Sequence, residues 1–547
     1  MFCNRTSLII LCLFVNASAW AQLEKQIDPL FADFQNTPGA AIGVYQNGKL
    51  TFSKGYGLAN LDYSIPISPN TIFDIGSVSK QFTAACIFLL EEQGKLSIDD
   101  PIQKFLPEIP IYNGNIVTIR NLINHTSGLR DYVEILDYAS IPFDNVFTEE
   151  MGLAMMARQK EPNFKPGEKF MYNNGGYLLL AIIVRRASGK SIGEFAKANI
   201  FEPLAMSHSF ILENPNRIIK NLATGYIKKG DGTFEKQHHL NFAIGGDGQV
   251  YTSVENLLEW DNNFYSQKIG GPNFLKRMHE RGILNNRDTL PYAGGLFIDN
   301  YKGHKLVQHG GAWGGFRAII LRLPDLHASV VVLANYPGAM VNIKAYQILD
   351  LLIKPVESKE KNKPKTIAVR VAPKKLAGYT GIFEIIGQPH KRFTCALEGD
   401  SLVIEQLWNY DKFKLVPLST STFHRNGFPE IQFVFDPITQ LPIVNNQLET
   451  LQTKKVHAFN ISANTNLTGY DGEYFSAEVN ATYTIVEKAG QLIVSQHEKV
   501  IATLYQVSSD VFGANQLGYE FQREAGVISG FLLHDRRIRN LKFQKVK

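Results

Sequence analysis

Cysteine is almost missing from this chain: there are four in 547 residues, and Cys3 and Cys12 lie near the start. Of the other two, Cys86 falls in an apolar segment and Cys395 is remote from it. No disulfide is expected, although the compartment argued for below would allow one. A strong charge of either sign is missing as well. Lys and Arg number 56 against 51 Asp and Glu, a net +5 that drops by one without Arg5. A balance so small and so evenly spread argues against a nucleic-acid partner. Long hydrophobic runs are also missing. The longest internal one, Leu178 to Val184 after Tyr177, is far short of the roughly 20 residues that span a bilayer, so no transmembrane segment is expected.

Residues 1–21 form a different kind of segment. Arg5 is their only charged residue, Leu8 to Val15 is a short apolar stretch, and Ala17-Ser18-Ala19 or Ala19-Trp20-Ala21 supplies small residues for cleavage. This is the pattern of a secretory signal peptide, and it predicts a secreted or periplasmic protein. The remainder, with 44% hydrophobic and 20% charged residues, is of ordinary globular composition and long enough for two to four domains.

A first amphipathic helix carries Leu23, Ile27, Leu30, Phe31 and Phe34 on one face and stops at Pro38-Gly39. Strands over Ala40 to Gln46 and Leu50 to Ser53 turn at Asn47-Gly48, a strong hairpin signal. Residues 95–240 read as mainly helical, with Thr118 capping one helix and Asn174 opening the run that Gly189 closes. From Leu306 strands return, over Leu306 to His309, Phe316 to Leu323 and Ala328 to Ala334, before a helix over Val341 to Leu352. This order predicts an α+β domain over 22–353, with one antiparallel sheet built from both ends and a helical insertion packed on it.

Residues 354–373 open with a charged stretch holding two prolines and are expected to be a linker. Beyond them the chain repeats itself: Leu376-Ala-Gly-Tyr-Thr-Gly-Ile-Phe383 is answered by Leu467-Thr-Gly-Tyr-Asp-Gly-Glu-Tyr474. Short alternating strands follow each copy, which predicts two small antiparallel β-barrels over 374–460 and 461–547. A chain ended near Lys354 is accordingly expected to leave a soluble domain.

The chemistry gathers around Phe73-Asp74-Ile75-Gly76-Ser77-Val78-Ser79-Lys80. Turn formers deliver Ser77 to the start of an apolar helix, and Lys80 stands one turn further along the same face. Burial disfavours a charged amine, and an amine beside a hydroxyl is a candidate base. The pair alone means little, since Ser358 and Lys361 share the spacing in a linker-like stretch. Two further stretches complete a site. In Lys165-Pro-Gly-Glu-Lys-Phe-Met-Tyr-Asn-Asn174 a turn presents Tyr172, a possible base, and Asn174, which could cap a helix or hold Lys80. In Val307-Gln-His-Gly-Gly-Ala-Trp-Gly-Gly-Phe316 a strand ends in glycines that admit a ligand to the backbone, with His309 at the edge of the site.

Ser-Val-Ser-Lys, Tyr-Asn-Asn and His-Gly-Gly, in this order and widely spaced, resemble the three motifs of the serine β-lactamase and penicillin-binding protein superfamily. Leu122-Ile-Asn-His-Thr-Ser-Gly-Leu129, Lys165-Pro-Gly167, Glu202-Pro-Leu-Ala-Met206 and Gly245-Gly246 bring the likeness to its class C β-lactamase-like branch, over about residues 25–352. That branch also holds D-aminopeptidases, D-Ala-D-Ala carboxypeptidases and esterases. The resemblance implies Ser77 as nucleophile, Lys80 and Tyr172 as shared base, and Asn174 as an orienting residue. It further implies His309 at the third-motif cation position, with the Gly311–Ala312 backbone beside the Ser77 N–H as an oxyanion hole. It implies no metal and no cofactor. The chain departs from the pattern in carrying His-Gly-Gly where β-lactamases of this branch carry Lys-Thr-Gly, and Asn173 where serine is common. A tail of two barrels resembles the three-domain D-aminopeptidases, in which a barrel loop would reach the pocket. The expected activity is hydrolysis of small amides or esters, D-amino-acid peptides included, through an acyl-enzyme. An esterase, a non-catalytic receptor for peptidoglycan fragments or β-lactams, and a protein whose barrels bind lipid or peptide remain alternatives, and the oligomeric state is left open.

Overall fold

The computed structural model describes residues 23–353, 369, 371–445, 450–459 and 467–547; the leader over 1–21 and the linker stretch 354–366 lie outside the described residues. The first half is organised by a six-stranded antiparallel sheet. Its spatial order is Phe297–Tyr301, His304–Trp313, Phe316–Leu323, Ala328–Ala334, Ala40–Gln46 and Lys49–Tyr56. The N-terminal hairpin therefore joins the C-terminal strands, with Ala40 opposite Ala334 and Gln46 opposite Ala328. Asn47 and Gly48 turn that hairpin with φ of 51° and 74°, the positive pair that a two-residue turn matching the strand twist requires.

Strand periodicity divides the side chains between two cores. Ala40, Ile42 and Val44 face one core with Val330, Val332 and Ala334. There the helix Val341–Leu352 adds Val341, Ala345, Ile348 and Leu349, the stripe of an amphipathic helix. Ala41, Tyr45, Val331 and Leu333 face the helical region on the other side. At its centre lies the helix Lys80–Glu92, in which every side chain from Lys80 to Leu90 is buried. Phe82 packs between Trp260 and Phe201, at ring separations of 4.5 and 5.6 Å.

The tail holds a nine-stranded antiparallel sheet, curled nearly shut, and a closed barrel of eight strands. The repeat seen in the sequence has a structural counterpart. Leu376 and Tyr379 are buried in one copy, Leu467 and Tyr470 in the other. Gly381 and Gly472 take φ of 153° and 149°, and a Cβ at either would meet the Cε of Lys455 or Lys545 at 2.6 Å. Aromatic rings fill the closed barrel: Tyr483 lies 4.5 Å from Phe543, and Phe543 lies 4.7 Å from Phe531. An interior packed in this way weighs against a lipid-carrying role.

The closed barrel is not a pendant module. Its buried residues, from Leu467 to Phe543, belong to the same apolar core as the helical region. Arg130, fully buried, pairs with Glu478 of the barrel and donates to the carbonyls of Arg539 and Asn540 at 3.0 and 2.9 Å. The Tyr483 hydroxyl donates to the Tyr138 carbonyl at 2.9 Å, and the Tyr138 hydroxyl to Asp535 at 2.6 Å. Removing the barrel would uncover this surface. A chain ended at Ile353 is therefore expected to be poorly soluble, against the expectation from sequence. Glu478→Ala should leave the Arg130 charge buried and unpaired, at a cost of about 3–5 kcal/mol. Urea unfolding should show that loss as a lower midpoint, whereas an unchanged midpoint would mean that the barrel is not docked through this pair.

Candidate active site

The turn before the Lys80 helix is held from below. Asp74 accepts from the Gly76 N–H at 2.8 Å, and Ser79 Oγ accepts from the Val250 N–H at 3.0 Å. Ser77 lies in the 3-10 turn Gly76–Ser79, which runs directly into the α-helix. Lys80 is the helix's first residue, wholly buried, and its Nζ reaches Ser77 Oγ at 3.2 Å, Asn174 Oδ1 at 2.9 Å and the Asp247 carbonyl at 2.7 Å. Three acceptors thus surround the Lys80 amine. The same Nζ lies 4.9 Å from the centre of the Tyr172 ring. The Tyr172 hydroxyl is buried and has no protein partner among the described residues.

Of the two roles open to Asn174 in the sequence, the structure gives it the hold on Lys80 and not the helix cap. Asn173, not Asn174, caps the helix Asn174–Ser188, accepting from the Gly176 N–H at 2.7 Å. That frees Asn174 for the site. Its N–H and its side-chain amide both donate to Asp131 Oδ2, at 3.0 and 3.2 Å, which turns its oxygen toward Lys80. The motif Leu122 to Leu129 supplies a wall. His125 accepts from the Asn173 N–H at 3.1 Å and packs 4.3 Å from the Tyr172 ring. Burial, with Lys80 adding to it, pushes the His125 imidazole well below its ordinary range.

The third stretch departs from expectation. The strand does not end at the glycines but runs from His304 through Gly310, Gly311 and Ala312 to Trp313. The glycines instead allow its edge to touch the Ser77 turn. A Cβ on Gly311 would come within 1.9 Å of the Ile75 carbonyl oxygen and 3.2 Å of the Ser77 nitrogen. Gly76, at φ 50°, faces back across the same contact, where a Cβ would meet the Ala312 nitrogen at 2.7 Å. His309 has both ring nitrogens occupied. It is buried, its Nδ1 lies 2.6 Å from the Gly310 carbonyl and its Nε2 lies 3.1 Å from the Tyr292 hydroxyl. A carbonyl can only accept, so Nδ1 carries the proton and Nε2 accepts from Tyr292. Burial first, and Lys80 second, push its pKa down to about 3.

Ser77, Tyr172, Asn174, His309, Gly311 and Ala312 line one cavity of about 870 Å³, and Lys80 lies beneath its floor. Phe242, Ile244, Phe297 and Trp313 make much of its wall apolar. Residues that sequence reasoning missed also border it. Asp247 is one. Burial raises its carboxyl to about 6 against the pull of Lys80, and it accepts from the Tyr132 hydroxyl at 3.1 Å. Arg537 of the closed barrel is another. It lies 5.2 Å from the Tyr172 ring centre and pairs with Asp131 at 3.4 Å. Asp131 could have been found as a cap signal before Tyr132-Val-Glu. Nothing in the sequence near Arg537 points back to Tyr172.

The family model described as Beta-lactamase matches residues 27–353. A penicillin-binding protein of Bacillus subtilis (strain 168) is 32% identical over 317 residues, 55% of this chain and 68% of its own length. Protein flp of Staphylococcus aureus (strain MRSA252) is 30% identical over 324 residues, 57% of this chain and 63% of its own length. Among solved structures, the octameric penicillin-binding protein homologue from Pyrococcus abyssi aligns over 88% of this chain and 99% of its own, with 25% identity and a TM-score of 0.55. The D-amino acid amidase from Ochrobactrum anthropi SV3 shares the fold at 21% identity and a TM-score of 0.51, over 60% of this chain and 98% of its own.

The state of His309 can be measured. Its folded value of about 3 lies below the ordinary 6.5, so the stability linked to it is present above that ordinary value and is lost as pH falls from there toward 3. Nuclear magnetic resonance of ring-labelled protein, assigned with His309→Gln, should show a neutral Nδ1–H ring unchanged from about pH 5 to 8. A midpoint near 6.5 would contradict this.

Proposed function

The chain belongs to the beta-lactamase family, and from that premise we propose that it is a secreted or periplasmic serine hydrolase acting through an acyl-enzyme on small amides or esters. D-amino-acid peptides are among the proposed substrates, in keeping with the amidase and penicillin-binding relatives. The observation that carries this reading is Lys80 Nζ at 3.2 Å from Ser77 Oγ, on the floor of the cavity that Tyr172 also borders. In the proposed cycle Ser77 Oγ attacks the substrate carbonyl while its proton passes to the Lys80–Tyr172 unit. The carbonyl oxygen gains negative charge between the backbone N–H groups of Ser77 and Ala312, and the helix N-terminus beneath Ser77 favours that charge.

Collapse of the tetrahedral intermediate breaks the bond to the leaving group, which takes back the proton. A water molecule then attacks the acyl-Ser77 ester with the same base unit, and Ser77 is regenerated. Asn174, held by Asp131, keeps the amine aimed at Ser77 throughout. The apolar wall suits an acyl group or side chain without charge.

Incubation with an alkyl fluorophosphonate should add one adduct, mapped by mass to Ser77. Ser77→Ala should lose turnover entirely while keeping the folded circular-dichroism spectrum; residual turnover within about tenfold of wild type would refute the nucleophile. Lys80→Ala and Tyr172→Phe should each cost about 10³-fold or more in kcat, and their double variant little more than either single one. Mild, additive losses would place the base elsewhere.

A further inference from the structure

We propose that Arg536, on the closed barrel, is the residue that recognises a carboxylate on the substrate, so that the barrel sets the specificity of the hydrolase pocket. The inference rests on the hydrolase reading above for the identity of the ligand, and on the following geometry for its placement.

The position from which a cation would be expected to face the substrate holds His309, which is buried, neutral and committed at both ring nitrogens to Tyr292 and Gly310. It offers a substrate anion no charge. Positive charge reaches the cavity from elsewhere: Arg317, Arg536 and Arg537 line it, against the single carboxylate of Asp247. The three are not equivalent. Arg317 donates to the Gly314 and Phe316 carbonyls at 3.0 and 2.6 Å. Arg537 lies against Asp131 and Glu134, at 3.4 and 3.5 Å. Arg536 is exposed beside the cavity; Glu134 lies within electrostatic reach of it, but among the described residues its guanidinium makes no hydrogen bond or close ion pair. A planar guanidinium with free donors at the rim of an apolar cavity suits a carboxylate.

The loop that carries Arg536 is fixed on both sides. Before it, Asp535 accepts from the Tyr138 hydroxyl at 2.6 Å. After it, the side chain of Asn163 donates to the Arg537 carbonyl at 2.9 Å and accepts from the Arg539 N–H at 2.7 Å. Arg130 then holds the carbonyls of Arg539 and Asn540, and Ile538 is fully buried. A backbone held this closely presents the Arg536 side chain in a constant place, as a specificity element requires. Arg537, facing the Tyr172 ring and tied through Asp131 to Asn174, is a positioning residue in this scheme and not the anion receptor.

The test uses the full chain carrying Ser77→Ala, so that binding is read without turnover. N-acetyl-D-alanyl-D-alanine is titrated by calorimetry as its free acid and as its carboxamide. The acid should bind at least about tenfold more tightly than the amide, the worth of one charge-assisted pair. That ratio should fall to under about twofold in Arg536→Gln, persist in Arg536→Lys, and shrink as salt rises from about 0.05 to 0.5 M. Equal binding of acid and amide, no measurable binding of the acid at millimolar concentration, or a ratio that survives Arg536→Gln would each overturn the proposal. Fluorophosphonate labelling of the unsubstituted chain at Ser77 reports separately on the hydrolase reading. An unlabelled protein that still prefers the acid would refute the chemistry and leave the Arg536 assignment standing.

Discussion

A lysine buried to the last atom is the constraint on which the site depends. An isolated charge taken out of water costs several kcal/mol, and a fold tolerates it only with partners in good geometry. Lys80 finds them on separate parts of the chain: the hydroxyl of Ser77 one turn away, the amide oxygen of Asn174 at the head of another helix, and the carbonyl of Asp247 on a loop. Each must be in place for the amine to be satisfied, so folding itself brings the serine, the lysine and the asparagine together. Asp131 extends the requirement outward, since it orients Asn174 and takes an arginine from the closed barrel.

Contact between backbones is the second requirement. The strand His304–Trp313 and the Ser77 turn approach so closely that no side chain fits at Gly76 or Gly311. The approach brings the Ser77 turn and the Gly311–Ala312 backbone to one cavity and leaves much of the surrounding wall apolar.

Much of this was legible in the sequence because the signals were local. Asn47-Gly48, the strand periodicity and the Ser77-x-x-Lys80 placement each depend on neighbours a few residues apart, and all three appear where they were expected. The repeat in the tail was legible because the same glycine geometry was needed twice. What stayed hidden depends on distant contacts. Asn173 and Asn174 look interchangeable as caps until Lys80 and Asp131 choose between them. His309 stands at the third-motif position in the sequence, but its partners, Tyr292 and the Gly310 carbonyl, are seen only in the fold. Arg536 and Arg537 are an ordinary basic pair between two strands until the barrel docks.

The pairing of Arg130 with Glu478 joins residues 348 positions apart. At roughly 5–20 residues per second of synthesis, the arginine waits on the order of tens of seconds for its carboxylate. During that interval the helical face that receives the barrel must remain wet, and Asn174 and Asp131 lack their outer arginine. The sheet and the serine turn can assemble early, but the pocket acquires its final wall only with the last strands. A chain interrupted before that point would carry Ser77 and Lys80 without Arg536 and Arg537 beside their cavity.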